Sequence, residues 1–323
     1  MLDAEMAKGD RKMHRWPPYL ALVFLAFTVV LLSVRSEGKT LDDNFLYSTV
    51  LIQNHSTGTQ GTGFVVSRQV GKNTFLLVLV SNRHVLQPKE ENPRDTNCLA
   101  EATVSFNVIE GDIVSRANVK VTLRDAVGKS FVKDHPNKAV DVAAIIVTPY
   151  VKRISPLDRP AVAAISEDRF AGKDFIKKYL VSPGDAAIII GYPLNLVEDG
   201  HVIPIARNAL IATKPDYDFR GQPAFLIDCT VLRGSSGSPV ILPIIPYIWA
   251  EKHKIDIGSI QENHLIGVVS GTMKDWELVV RKVMAPEVIQ EITVTDTANL
   301  GLVWRSDVIS EVLDLFGHKK SKE

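Results

Sequence analysis

The sequence predicts an all-β protein: two antiparallel β units, a carboxy-terminal helix, and a membrane-spanning segment at the amino terminus. Three observations predict it. From about residue 45 the apolar residues fall in short Val- and Ile-rich runs separated by Gly, Pro, Asn and Asp. No helix-length amphipathic segments alternate with those runs, which argues against a βαβ layout. The uncharged stretch long enough to cross a bilayer stands at the amino terminus. With 323 residues, 46 % hydrophobic and 23 % charged, the chain can bury one or two cores.

Taken in order, residues 17–34 (PPYLALVFLAFTVVLLSV) carry no charge, with Lys8, Arg11, Lys12 and Arg15 before them and Arg35 after. The basic flank predicts that residues 1–16 are cytoplasmic, that 17–34 form a transmembrane anchor, and that the rest is extracytoplasmic, in a periplasm or outside the cell. The alternative is a cleaved signal peptide, which would release a secreted form. The poor small-x-small site, with Arg35 between Val34 and Ser36, favours the uncleaved anchor. Residues 35–44 read as a linker.

The first β unit, 45–150, holds the runs YSTVLIQ (47–53), TGFVVSR (62–68), TFLLVLVS (74–81), ATVSFNVI (102–109), ANVKVTL (117–123) and DVAAIIV (141–147). A linker follows over 151–178. It begins with the proline-containing VKRISPLDRPAVAAI and holds a weak helical pattern from Ser166 to Tyr179. The second unit, 179–317, holds AAIIIGY (186–192), AFLID (224–228), PVILPI (239–244), HLIGVVSG (264–271) and NLGLVW (299–304). The stretch Trp249 to Asn263 is charged and poorly patterned and reads as a surface insertion. In SDVISEVLDLF (306–316) the apolar residues share one side of a helix, with Ser306 as its cap.

Several functions are disfavoured. Lysine plus arginine and aspartate plus glutamate balance at 37 each, and no basic block interleaved with aromatics follows residue 40, so nucleic acid is not an expected partner. The two cysteines, Cys98 and Cys229, form no CxxC or Cys/His cluster; no metal site is expected, and both read as unpaired thiols. GTQGTG (58–63) is glycine-rich, but neither GK[ST] nor a helical pattern follows it, so it is not a phosphate loop. No cofactor is expected.

Three strings carry chemistry. In SNRHVL, His84 ends a buried apolar strand, where it would be exposed yet fixed in orientation. Most of the other histidines, His135 and His264 among them, sit in polar or terminal contexts and read as solvated. Asp141 starts the apolar run DVAAIIV, where a partly buried carboxylate is costly unless hydrogen-bonded, and a histidine N–H would satisfy it. On local context alone a solvent-facing Asp is an equal alternative. In RGSSGSPV (233–240), glycines flank the serines and allow backbone N–H groups to converge on one point, as an oxyanion hole requires. A serine hydroxyl needs a base, and the base needs a group to fix its tautomer.

The order His, Asp, Ser is that of the chymotrypsin-like proteases. SNRHV, DVAAI and GSSGSPV resemble that family's histidine, aspartate and nucleophile motifs. TGFVV (62–66), VSPGDAAIIIGYP (181–193), PIARNALIAT (204–213) and LIGVVSG (265–271) resemble segments of its bacterial secreted trypsin-like members. The resemblance covers about residues 45 to 317. It implies two six-stranded antiparallel β-barrels with the cleft between them. It also implies Ser236 as nucleophile, His84 as general base and then acid, Asp141 as orienting carboxylate, and the N–H groups of Gly234 and Ser236 as oxyanion hole. Ser270 and Gly271 would line the substrate, a polypeptide, and Thr230 would floor the specificity pocket. Thr230 is uncharged, which argues against strict Lys/Arg preference. Ser235 stands where pancreatic relatives have an aspartate, so activation by clipping is not implied. The 87 residues after Ser236 leave no room for an appended peptide-binding domain. The expected function is a membrane-anchored serine endopeptidase; the alternative is a catalytically silent scaffold of the same fold.

Overall fold

The computed structural model describes residues 41–54, 58–72, 74–87, 101–111, 113–154, 162–196, 203–251, 254–260, 262–285 and 288–317. The anchor expected at 17–34 and its flanks lie outside these residues, as does Cys98. Among the described residues no helix is long and apolar enough to cross a membrane.

Helix α1 (Asp43–Tyr47) opens the fold, its first turn capped by Asp42, which accepts from the N–H of Asn44. Strands β1 (Thr49–Asn54), β2 (Thr59–Gly71) and β3 (Thr74–Ser81) follow as antiparallel neighbours. The one-turn helix α2 (Arg83–Leu86) leaves the end of β3. Then come β4 (Glu101–Glu110), β5 (Ile113–Thr122), β6 (Lys133–Asp134), β7 (Ala143–Ile146), α3 (Thr148–Ile154), β8 (Ile165–Ser166) and α4 (Lys173–Lys178). The first sheet has the order β5-β4-β1-β2-β3-β7-β6, with β8 pairing in parallel beside β2. Its hydrogen-bonded path is not closed as the expected barrel would be. Strand β6 has two residues and bonds to β7, so no ladder joins it to β5.

The second unit is a closed ring. Strands β9 (Ala186–Gly191), β10 (Ile205–Ile211), β11 (Ala224–Asp228) and β12 (Pro239–Leu242) combine with β15 (His264–Ala285) and β16 (Val288–Arg305) in the order β10-β11-β16-β15-β12-β9. The stretch read as a surface insertion falls largely in an antiparallel hairpin, β13 (Ile245–Glu251) and β14 (Lys254–Ile260). β15 and β16 run on past the ring as a paired ribbon, down to Ala285 opposite Val288. Helix α5 (Ser306–Asp314) closes the chain. Its cap position is Arg305 rather than Ser306, whose hydroxyl donates to the carbonyl of Ala171 instead. The helical pattern at 166–179 splits into a 3-10 turn (Glu167–Arg169) and α4, interrupted where Phe170 bridges to Leu265.

Alternation along the strands builds three apolar layers. Val65 and Leu79 face the first core with Phe106 and Val121. Ile189 faces the second, with Phe225, Ile227 and Val303. The residues between them, Phe64, Val66, Val78, Val80, Ile188 and Ile190, form a middle layer with Val308, Ile309 and Val312 of α5. Both strand faces are therefore buried, which is why these runs read as continuously apolar. Arg68, fully buried on β2, bonds Glu167, Asp314 and the Gly317 carbonyl, and so ties the end of α5 to the first unit. His135, expected to be solvated, is buried: its Nε2 meets Glu311 of α5 at 2.8 Å. His264 is half-buried against the ring of Phe175, and burial pushes its pKa down.

Candidate active site

Two residues of the site come from the first unit. Chain reversal at the end of β3 sets His84 on α2, a helix too short to hold itself without tertiary contacts. Val85 and Leu86, both buried, fasten it to the first core. His84 Nδ1 lies 2.5 Å from Asp141 Oδ2, and the His84 backbone N–H donates to Asp141 Oδ1 at 3.1 Å. The Asn82 amide donates to the Asp141 carbonyl at 2.8 Å. The carboxylate is therefore gripped at both oxygens while the ring stays open: the His84 side chain is 47 % exposed, that of Asp141 19 %. Burial pushes the Asp141 carboxyl up, but the hydrogen bonds and charge of His84, with the Ser270 hydroxyl, outweigh it and hold the carboxyl below its usual range.

The serine string forms the turn between β11 and β12. Gly234 and Gly237 both take positive φ, +86° and +85°. A Cβ on Gly237 would stand 1.9 Å from the Thr62 carbonyl oxygen, so glycine is required there. The Ser235 N–H bonds back to the Leu232 carbonyl and the Ser238 N–H to the Ser235 carbonyl. The N–H groups of Gly234 and Ser236 have no backbone acceptor among the described residues. Ser235 and Ser238 are buried and Ser236 is partly open, so Ser236 is the serine of the three best placed for a ligand.

Ser270 joins the halves. It is the extra residue of a β-bulge in β15, between Val269 and Gly271, which frees its polar groups from the ladder. Its hydroxyl donates to Asp141 Oδ2 at 3.1 Å, and its carbonyl accepts from the Ser236 hydroxyl at 3.0 Å. His84, Asp141, Ser236 and Ser270 thus meet in one place. Among the described residues Ser236 bonds Ser270 and not His84. Gly271 follows with open space where a Cβ would point. Thr230 lies at the far end of the loop, exposed, its hydroxyl 3.3 Å from Asn299 Oδ1.

The sequence reading missed one central residue. Thr62, inside the glycine-rich string, lies beneath the serine turn. Its N–H donates to the Ser236 carbonyl (2.8 Å), and its hydroxyl donates to the Gly234 carbonyl (2.7 Å) and accepts from the Tyr192 N–H (3.1 Å). Its own carbonyl accepts from the Ser81 hydroxyl. A polar residue between two glycines in an apolar run is the signal that could have found it. Among the described residues no cluster of His, Cys, Asp and Glu could hold a metal ion.

A paired histidine and carboxylate on one β unit, facing a glycine-flanked serine on a closed barrel, define the class of chymotrypsin/trypsin-like serine peptidases. The trypsin-like peptidase domain family matches residues 61–243, more than half of the chain and a span that includes His84, Asp141 and Ser236; the chain belongs to that family. It is a serine peptidase, a hydrolase that acts on polypeptides. The fold is also similar to a solved structure described as the crystal structure of Deg5, with a TM-score of 0.45 and 14 % identity over 86 % of this chain and 92 % of that one. No curated protein matches the chain.

Proposed function

We propose that the protein is a serine endopeptidase in which Ser236 attacks, His84 moves the proton and Asp141 orients His84. The observation that carries this reading is the two-point grip of Asp141 on His84. With Nδ1–H given to the carboxylate, Nε2 is left as the acceptor, which is the tautomer a general base needs. Ser236 Oγ turns from the Ser270 carbonyl toward His84 Nε2, gives up its proton there and bonds the substrate carbonyl carbon. The N–H groups of Gly234 and Ser236 receive the developing oxyanion. His84 then passes the proton to the leaving amine, and water hydrolyses the acyl ester by the same route. Ser270 and Gly271 line the peptide along β15, and Thr230 floors the pocket for the side chain before the scissile bond. The segment 17–34 anchors the enzyme, with its catalytic part extracytoplasmic.

A second reading, a silent scaffold, is favoured by the resting bond from Ser236 to Ser270 in place of His84. A fluorophosphonate probe on the folded full chain separates the two. The endopeptidase labels covalently; the label disappears in Ser236→Ala and persists in Ser235→Ala and Ser238→Ala. Absence of label on folded wild type overturns the endopeptidase.

A further inference from the structure

The pocket ending at Thr230 has an unassigned cation behind it. Arg207 lies on β10 opposite Ile189 of β9. Residues opposite each other in a ladder share a face, and Ile189 faces the core of the second barrel, as do Ala209 and Ile211 further along β10. The Arg207 side chain is therefore directed inward, at the end of the barrel interior. Its Nη2 donates to the Thr230 carbonyl at 2.9 Å, and its charge acts on the buried thiol of Cys229. Nη1 is buried with no hydrogen-bond partner. Among the described residues Arg207 makes no ion pair. Asp228, two residues from Thr230, lies opposite Leu210, which is 47 % exposed, and so belongs to the outer face. The other inward arginines differ: Arg68 has Glu167 and Asp314, and Arg305 has Asp218 and Asp307.

Two segments face each other beside Thr230. One wall is the loop from Thr230 to Ser236. The other is β15 and β16, which meet as Gly271 opposite Leu302 and Thr272 opposite Gly301. The walls approach at the top through Ser236 and Ser270 and at the bottom through Thr230 and Asn299. Gly301 lets the walls come close: a Cβ there would stand 2.7 Å from Val231 Cγ2, while the space beside Gly271 stays open. Arg207 is only partly buried, and with no counter-ion among the described residues its guanidinium can take the charge of a carboxylate that enters between these segments.

We propose that Arg207 makes the enzyme selective for an acidic side chain, Glu or Asp, immediately before the scissile bond. The selectivity rests on the endopeptidase reading, with Thr230 at the base of the pocket. Wild-type full-length enzyme is assayed on fluorogenic peptides that differ in that residue alone: Glu, Asp, Gln, Leu and Lys. The expected kcat/KM for Glu exceeds that for Gln by about 10- to 100-fold, the usual worth of a charged hydrogen bond. In Arg207→Gln the Glu:Gln ratio falls to near one, and in Arg207→Lys it is partly kept. Independently of catalysis, Ser236→Ala binds a product-like peptide ending in Glu more tightly than one ending in Gln, measured by calorimetry. That binding and the wild-type ratio decide the matter even where Arg207→Gln does not fold. An enzyme that takes the fluorophosphonate label yet prefers Leu or Lys overturns the Arg207 assignment and leaves the endopeptidase standing. A Glu preference that survives Arg207→Gln overturns it as well. A folded wild type that takes no label overturns the endopeptidase reading instead.

Discussion

The two halves of the site are held by different means. On the first unit His84 and Asp141 are fixed by side-chain bonds between charged or chargeable groups, with α2 supplying one turn of helix beneath them. On the second unit Ser236 is fixed by backbone: two glycines at positive φ, a chain of turns, and Thr62 bonded to the carbonyls on either side of Ser235. A side-chain pair can be lost by one isosteric substitution while the fold survives. A backbone turn is supported at several points and loses position by degrees. The first half should therefore respond sharply to substitution and the second gradually.

The sharpest test is Asp141→Asn. It keeps the shape and the fold, but the amide can donate to Nδ1 and impose the wrong tautomer on His84. The expected loss in kcat is on the order of 10⁴, with thermal stability close to wild type, by analogy with the same change in a well-studied triad. A loss below about tenfold would assign the orienting role to another carboxylate.

On the other half, Thr62→Ala removes the hydroxyl under the serine turn and strands a partly buried carbonyl at Gly234 and a buried N–H at Tyr192. Stranding two such groups costs about 1–3 kcal/mol each, spread between stability and the aim of the Gly234 and Ser236 N–H groups. We expect kcat to fall about tenfold, KM to change little, and Thr62→Ser to restore most of the rate. An unchanged kcat with a lowered Tm would reduce Thr62 to a structural prop.

The same contrast explains what the sequence disclosed. His84, Asp141 and the serine string stand out because each interrupts or bounds an apolar run, a signal contained within a few residues. Thr62 pairs with Gly234 across 172 positions and Ser270 with Asp141 across 129, and no local pattern reports such partners. His135 reads as solvated because its partner, Glu311, is 176 residues away. Arg207 reads as an ordinary polar residue in PIARNALIAT until the register with Ile189 turns it inward. The strands of both units were legible because burial on both faces leaves dense apolar runs. Charged and polar residues break up β14 and the ribbon beyond the ring, so the partner of the apolar β13 and the pairing of the ribbon were not.

Ser270→Ala tests the link between the halves, with the smallest effect expected. Its hydroxyl is one of several groups that favour the ionised Asp141, behind the bonds and charge of His84. The bond from Ser236 uses the Ser270 backbone carbonyl and survives the change. At neutral pH Asp141 stays ionised and gripped by His84, so kcat should fall only a few-fold, the worth of about one neutral hydrogen bond. The acid limb of stability responds more clearly. Because the folded carboxyl titrates below its unfolded value, near 3.9, the stabilisation is fully present above that pH. It is lost as pH falls through the folded pKa. Without the Ser270 hydroxyl the folded pKa moves up toward the unfolded one, so less stabilisation is available and its loss on acidification, which begins at the same unfolded pKa, is complete at a higher pH. Urea midpoints of wild type and Ser270→Ala between about pH 6 and pH 2 should lie apart by a constant amount at the upper end and converge below the carboxylate range. Curves that stay parallel throughout would mean that the hydroxyl does not favour the ionised carboxylate, and would leave the backbone carbonyl of Ser270 as the link between the two halves.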